Sequence, residues 1–182
     1  MFEGYPMEAF VHDWRQWSTF FWEVDRPSGI PSLPQMVKEG IEIPGPSELS
    51  QKLKVIADRV LRAGPPALSK KEIDHKRYFI TDLVDDIREP RNKYELLATG
   101  TQIFPLLADF FHRAQGLWSA KGKAIPRVLE KTDADFGKKF NDAFERLFRE
   151  ANPRFAIKLA EEILRPYGGF LFDGFKLDAP AR

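Results

Sequence analysis

The chain has 182 residues, 43% of them hydrophobic and 30% charged, which is the composition of an ordinary globular protein. A formal net charge of +1 gives no bulk attraction to nucleic acid or to an anionic membrane, so we expect neither as a partner. The lack of cysteine excludes disulfides, thiolate zinc sites and cysteine nucleophiles. With no run of 18 apolar residues and no signal-peptide pattern, the sequence predicts a cytoplasmic protein.

The N-terminal residues combine an alternating segment with many aromatic side chains. Met7, Ala9 and Val11 fall on one side of an extended segment, which predicts a short strand over residues 7–12. A lone strand cannot satisfy its own backbone donors and acceptors, and no second strand pattern follows. The strand therefore pairs with another chain or lacks its sheet. Eight aromatic residues among the first 22 predict that this segment packs against something.

The remaining sequence predicts helices, so the fold class is mainly α, a bundle of about six to eight helices with one short N-terminal strand. Ser47 is a predicted N-cap, and the capping-box pair Ser69 and Glu72 opens a helix that runs to about Arg88. Ser119 and Thr132 are predicted to cap two later helices. The aromatic segment from Phe170 to Leu177 is expected to dock on the bundle.

One face of the helix after Ser69 is acidic. Asp74, Tyr78, Thr81, Asp82 and Asp85 recur at spacings of three and four, opposite the apolar stripe. Like charges this close on a helix repel by roughly 0.2–0.5 kcal/mol per pair, so solvent, neighbouring cations, a metal or a cationic substrate must offset the repulsion. The face is therefore either solvated or a substrate surface.

A second candidate site is the segment from Trp118 to Lys123. Lys121 and Lys123 are predicted in the first turn of a helix, where the dipole disfavours cations and backbone amides point outward. Cations and free amides together make an anion site, and phosphate is the expected anion. The alternative is two exposed lysines on a frayed helix end.

Other titratable residues give weaker indications. Glu8, with His12 on the same face of the predicted strand, could bind a metal or act as a general base, or it could be an ordinary solvated residue. His75 and His112 have no partner at metal-ligand spacing. Asp133 and Asp135 are expected to stabilise a helix N-terminus, so the sequence predicts no protein metal site.

Several segments, in order, resemble one family. Gly4-Tyr5-Pro6-Met7-Glu8-Ala9-Phe10-Val11-His12-Asp13 is similar to the third active-site strand of bacterial nucleotidyltransferase-domain proteins, which include kanamycin and lincosamide nucleotidyltransferases. The family's C-terminal helical region is resembled by Arg77-Tyr78 with Thr81-Asp82-Leu83 and Asp85-Asp86, by Trp118-Ser119 with Gly122-Lys123, and by Gly168-Gly169-Phe170-Leu171-Phe172 with Gly174.

The resemblance implies transfer of a nucleoside monophosphate from a nucleoside triphosphate to a hydroxyl or similar acceptor. Two Mg²⁺ ions held by carboxylates would align the phosphate and activate the acceptor. It implies a remnant strand and helix of the nucleotidyltransferase domain at residues 1–30 and a helical C-terminal domain at residues 31–182. Phosphate binding would fall to Lys121, Lys123 and Ser119, and substrate binding to Tyr78, Asp82, Asp85 and Trp118.

The sequence departs from the family at its metal-binding motif. It contains no Gly-Ser dipeptide, and its only Asp-x-Asp pair is the predicted cap at Asp133. Only Glu8 matches a family carboxylate, and one carboxylate cannot hold two Mg²⁺ ions. If the chain is the complete product, rather than a truncated one, we expect no nucleotidyl transfer. Mg²⁺ and a nucleoside triphosphate are thus implied by the resemblance alone.

Two other functions remain open. The chain could be a non-catalytic helical interaction module that forms a homodimer or binds a protein partner through the predicted N-terminal strand. It could also be an enzyme with an unusual site built on Asp82, Asp85 and Asp86.

Overall fold

The computed structural model describes residues 3–176. It is 69% helical, which confirms the predicted mainly α fold class. The two ends of the chain lie outside the described residues. They are Met1 and Phe2 of the first predicted domain, residues 178–182 of the second, and Leu177, which ends the predicted docking segment. The packing divides the chain into two compact units between Gly64 and Pro65. The division after residue 30, which follows the resemblance, stays a prediction.

The first unit consists of an N-terminal helical segment and two helices. The segment has α-helical turns at Trp17–Thr19 and Arg26–Ser28 on either side of a π-helix at Phe20–Asp25. Helix α1 spans Ser32–Glu39 and helix α2 spans Glu48–Ala63.

Buried side chains stabilise the first unit. The carboxylate of Asp25 accepts a hydrogen bond from the backbone N–H of Leu33 at 3.1 Å and so satisfies one of the free donors at the start of α1. The Ser47 side chain caps α2, as predicted. Phe21, Ala57 and Val60 are fully buried.

Within its described residues, 65–176, the second unit contains five α-helices. Helix α3 spans Lys70–Arg88, α4 Lys93–Arg113, α5 Ile125–Thr132, α6 Ala134–Glu150 and α7 Arg154–Leu164. The predicted capping box of α3 is present: the Ser69 hydroxyl accepts from the backbone N–H of Glu72 at 3.2 Å, and the Glu72 carboxylate accepts from that of Ser69 at 2.7 Å. Apolar faces of all five helices meet in one core that includes Ile80, Phe110, Leu129, Phe140 and Leu159.

The structure differs from two of the predicted caps. Ser119 does not begin a helix, because a short 3₁₀ turn at Gly122–Ala124 leads into α5 and no side chain caps it. Thr132 ends α5, and Asp133 caps α6 by accepting from the backbone N–H of Phe136 at 2.9 Å. Thr132 is the last residue of α5, where its hydroxyl donates to the Val128 carbonyl oxygen at 2.8 Å, so Asp133 is the residue placed to cap α6.

The predicted N-terminal strand is not observed, since residues 6–13 adopt no regular secondary structure. Met7, Phe10 and Val11 are all exposed, so the alternation does not separate a buried face from a solvated one. No strand elsewhere in residues 3–176 is available to pair with this segment.

None of the helices within residues 3–176 combines the length and the apolar composition that crossing a bilayer requires.

Candidate functional site

The C-terminal segment of the chain lies on helix α3. We call this segment, residues 168–176, the tail. The Arg77 Nε donates a hydrogen bond to the carbonyl oxygen of Gly169 at 2.9 Å, and the backbone N–H of Leu171 donates to Oγ1 of Thr81, also at 2.9 Å. These bonds join residues 92 and 90 positions apart in the sequence. The expectation that this aromatic segment docks is therefore confirmed as far as Lys176.

Arg77 anchors the tail. Its side chain is only 8% exposed, and its Nη1 also donates to the Asp74 carboxylate at 2.8 Å. The Lys70 ammonium, 2.5 Å from Asp74, together with the Arg77 guanidinium, holds the pKa of the Asp74 carboxyl below its usual value. Gly168 has a φ of +103°, and a Cβ there would lie 3.0 Å from Nη2 of Arg77. The glycine lets the tail turn closely around the guanidinium.

The ring of Tyr78 faces the tail. It stacks nearly parallel to the ring of Phe175, with centroids 4.3 Å apart and an interplanar angle of 14°. Phe172 stacks more loosely, at 5.9 Å and 28°, and His75 contacts Phe175 at 6.2 Å. A ring predicted to meet substrate is thus engaged by the protein's own tail.

Asp82 and Asp85 lie further along α3 and both are exposed. Asp85 forms an ion pair with Arg88 at 3.4 Å, which offsets part of the repulsion predicted for this face. No ion pair joins Asp82 to any residue within the described range 3–176. Because Asp82 is four residues after Tyr78, its carboxylate lies one helical turn from the tyrosine ring.

The predicted phosphate-binding residues lie in a different part of the second unit. Lys121 immediately precedes the 3₁₀ turn before α5 and Lys123 lies within it, and both are exposed. Ser119 is only 4% exposed and Trp118 is half-buried. The hydrogen bonds and ion pairs of the described chain do not connect Lys121 or Lys123 to the acidic face of α3. Tyr78, Asp82 and Asp85 therefore share one helix, whereas the two lysines belong to the segment that leads into α5.

Glu8 is exposed on an irregular segment, where it was expected to share a strand face with His12. The imidazole of His12 instead packs edge-on against Trp17 and Phe20, at 5.2 and 5.4 Å between ring centroids. Across residues 3–176, no three His, Asp or Glu side chains lie close enough together to hold a metal ion.

Sequence reasoning missed a partly buried polar cluster between α3 and α4. The Lys76 ammonium contacts the Asp109 carboxylate at 2.6 Å, and Arg113, one turn after Asp109, is 6% exposed. Burial lowers the pKa of Arg113, while the charges of Asp109 and Glu72 oppose that shift. The sequence signal that could have found it is an acidic and a basic residue four positions apart on each helix. These pairs are Glu72 and Lys76 on α3, and Asp109 and Arg113 on α4.

Comparison of the chain with protein-family models, with curated proteins and with solved structures finds no match in any of the three. The functional argument therefore depends on the residues and on the contacts among them.

Proposed function

We propose that this chain is the helical nucleotide- and substrate-binding part of a protein of the bacterial nucleotidyltransferase kind. We expect these 182 residues alone to bind ligands but not to transfer a nucleotidyl group. The contact between α3 and the tail carries it. Arg77, Tyr78 and Thr81 belong to one segment of the resemblance, and Gly168 to Phe172 belong to another. Segments that resemble one family for a common reason are expected to meet in space, and these two do so through two hydrogen bonds.

The proposed division of roles follows from charge. The ammonium groups of Lys121 and Lys123, beside uncapped backbone amides, bind the phosphates of a nucleoside triphosphate, with Ser119 at the base of the same loop. Tyr78, Asp82 and Asp85 bind the acceptor, and Trp118 completes the substrate contacts. Such residues position the reactants, which is the main protein contribution to phosphoryl-type transfer.

Glu8 is the proposed catalytic residue of this chain. A carboxylate that lies alone on an exposed segment supplies one Mg²⁺ ligand or a general base only when further carboxylates are placed beside it. Nucleotidyl transfer by this route therefore needs carboxylates that the described residues do not provide at Glu8.

Isothermal titration with ATP and Mg²⁺ tests the nucleotide site. The wild-type chain is expected to bind, and the double variant Lys121→Ala/Lys123→Ala is expected to bind about tenfold or more weakly, since hydrogen bonds to charged groups contribute roughly 1.5–3 kcal/mol each. Lys138→Ala/Lys158→Ala is the matched control, because these lysines are also exposed and line a groove of about 380 Å³ between α6 and α7. No heat from the wild type at millimolar ATP, or loss of binding only in the control, would contradict the proposal.

A second candidate function is that of an interaction module. Tyr5, Met7, Phe10 and Val11 are 74%, 65%, 66% and 94% exposed, which is a large apolar surface for eleven residues at a chain end. Pairing with a second copy or with a protein partner would cover it. Sedimentation velocity decides between the two: a compact monomer at all concentrations speaks against self-association, and a dimer abolished by Phe10→Asp/Val11→Asp supports it.

A further inference from the structure

The tail is attached to α3 in two different ways. Its first part, up to Leu171, is held by hydrogen bonds to two buried side chains, Arg77 and Thr81. Beyond Leu171, the rings of Phe172 and Phe175 contact the side chains of α3. Phe172 is 56% exposed. The first part is therefore held by hydrogen bonds and the second by ring contacts, which are of comparable strength but which another planar ring can replace.

The second part is not closely packed at its glycine. Gly174 has a φ of +78°, and a Cβ at that position would meet no atom within 4 Å. Stacking between Tyr78 and Phe175 is not directional in the way a hydrogen bond is, and another planar ring can replace Phe175 in the same geometry. Replacement of Phe175 by such a ring would leave the hydrogen bonds of Arg77 and Thr81 to the base of the tail intact.

The surface beneath Phe175 has a defined chemistry. It offers one face of the Tyr78 ring and, one helical turn away, the exposed carboxylate of Asp82, which has no ion-pair partner in residues 3–176. A ring stacked on Tyr78 with a positive group reaching Asp82 would satisfy both. The matching ligand is a planar ring that carries an ammonium group.

We propose that Tyr78 and Asp82 bind the planar ring and the ammonium group of such a ligand, and that Phe175 occupies the ring position until the ligand displaces it. The assignment of this face to acceptor binding rests on the proposed function above. The tail then acts as an internal competitor, and residues 172–176 form a strap that opens when the ligand binds.

Tryptamine, a planar indole with an ammonium group, is a suitable probe for isothermal titration. Phe175→Ala is expected to bind tryptamine about two- to twelvefold more tightly than the wild type, because one stacked aromatic pair contributes roughly 0.5–1.5 kcal/mol. Asp82→Asn in the Phe175→Ala background should reverse the gain, and indole-3-acetate, which is planar but anionic, should show none. Phe155→Ala, which removes a partly exposed phenylalanine from α7, is the matched control and should bind like the wild type.

A readout without ligand accompanies the titration. Nitration of Tyr78 by tetranitromethane, measured by peptide mass spectrometry relative to the exposed Tyr94, should be faster in Phe175→Ala than in the wild type. Equal or weaker tryptamine binding by Phe175→Ala, no binding by either protein, or an unchanged nitration rate would each overturn the proposal. ATP binding through Lys121 and Lys123 is measured separately, so failure of the strap and failure of the proposed function are distinguishable.

Discussion

The two compact units differ in how many of their apolar side chains are buried. Among the residues whose burial the structure describes, 22 apolar residues are buried: 19 form the core of the second unit, and Phe21, Ala57 and Val60 belong to the first. Of the 17 large hydrophobic residues that are exposed in the same described part of the chain, eleven nevertheless belong to the first unit, Tyr5 and Val11 among them. The second unit therefore has the core of an independently stable helical domain, whereas the first has an apolar surface that its own residues do not cover.

The largest expected effect tests which unit holds the stability. Phe140 and Phe21 are both fully buried, one in each unit. Phe140→Ala should lower the free energy of unfolding by about 3–5 kcal/mol, because the cavity opens in a rigid core. Phe21→Ala should cost less, since the small core of the first unit can collapse around the gap. Chemical denaturation of both variants measures this, and an equal or larger loss in Phe21→Ala would refute the comparison.

Close packing between α5 and α6 gives the next effect. A Cβ at Gly137 would lie 2.7 Å from the backbone nitrogen and Cα of Glu130, so the helices would have to separate. Gly137→Ala is expected to destabilise the second unit by about 1–3 kcal/mol, seen as a lower midpoint of thermal unfolding. Gly45→Ala, in the first unit, meets no atom within 4 Å and should leave the midpoint nearly unchanged. Similar shifts for both glycines would mean that α5 and α6 are less tightly packed than described.

The hydrogen bond between Thr81 and the tail is expected to contribute less to stability than the close packing at Gly137. Thr81→Val keeps the shape of the side chain but leaves the Leu171 N–H without its acceptor, at a cost of about 1 kcal/mol. Hydrogen exchange at Leu171 should accelerate. Thr101→Val, an exposed position whose hydroxyl bonds only within α4, serves as the control and should not change exchange in the tail. Unchanged protection of Leu171 in Thr81→Val would show that the tail is held by other contacts.

The smallest effect is a pH dependence from His112. Its ring is 1% exposed, with Nδ1 2.9 Å from the Ala108 carbonyl and Nε2 3.2 Å from the Thr132 hydroxyl. Burial lowers the pKa of His112, although the Ala108 carbonyl and Asp109 oppose the shift. The unfolded chain then binds a proton more readily than the folded one, so the free energy of unfolding should fall as the pH drops below about 6.5.

Denaturation between pH 7.5 and 5 tests the His112 effect. The slope of stability against pH should be shallower in His112→Leu, which cannot titrate at this position. An identical slope in the wild type and the variant would assign the pH dependence to other groups.

How much of the fold could be predicted depended on whether the signal was local. The caps at Ser47 and Ser69 were predictable, because caps and apolar periodicity act within one helix. The choice of Asp133 over Thr132 as the α6 cap was decided by where α5 ends, which the sequence alone does not specify. The strand at residues 7–12 had the right pattern but no partner, and pairing is a property of the whole fold.

The candidate site was predictable in the same partial way. The spacing of Tyr78, Asp82 and Asp85 placed them on one face of a helix, as the structure has them. The contacts from Arg77 and Thr81 to the tail cross about 90 residues, and no local pattern predicts them. The buried position of Arg113 likewise depends on how α3 and α4 pack.

Amide chemical-shift mapping tests the central claim most directly. In ¹H–¹⁵N spectra, ATP with Mg²⁺ is expected to shift the amides of Lys121 to Ile125, and tryptamine is expected to shift those of Tyr78 to Asp85 and of the tail. Two separate sets of shifts in the second unit would support a helical nucleotide- and substrate-binding part. Shifts confined to residues 3–64, or none with either ligand, would contradict it.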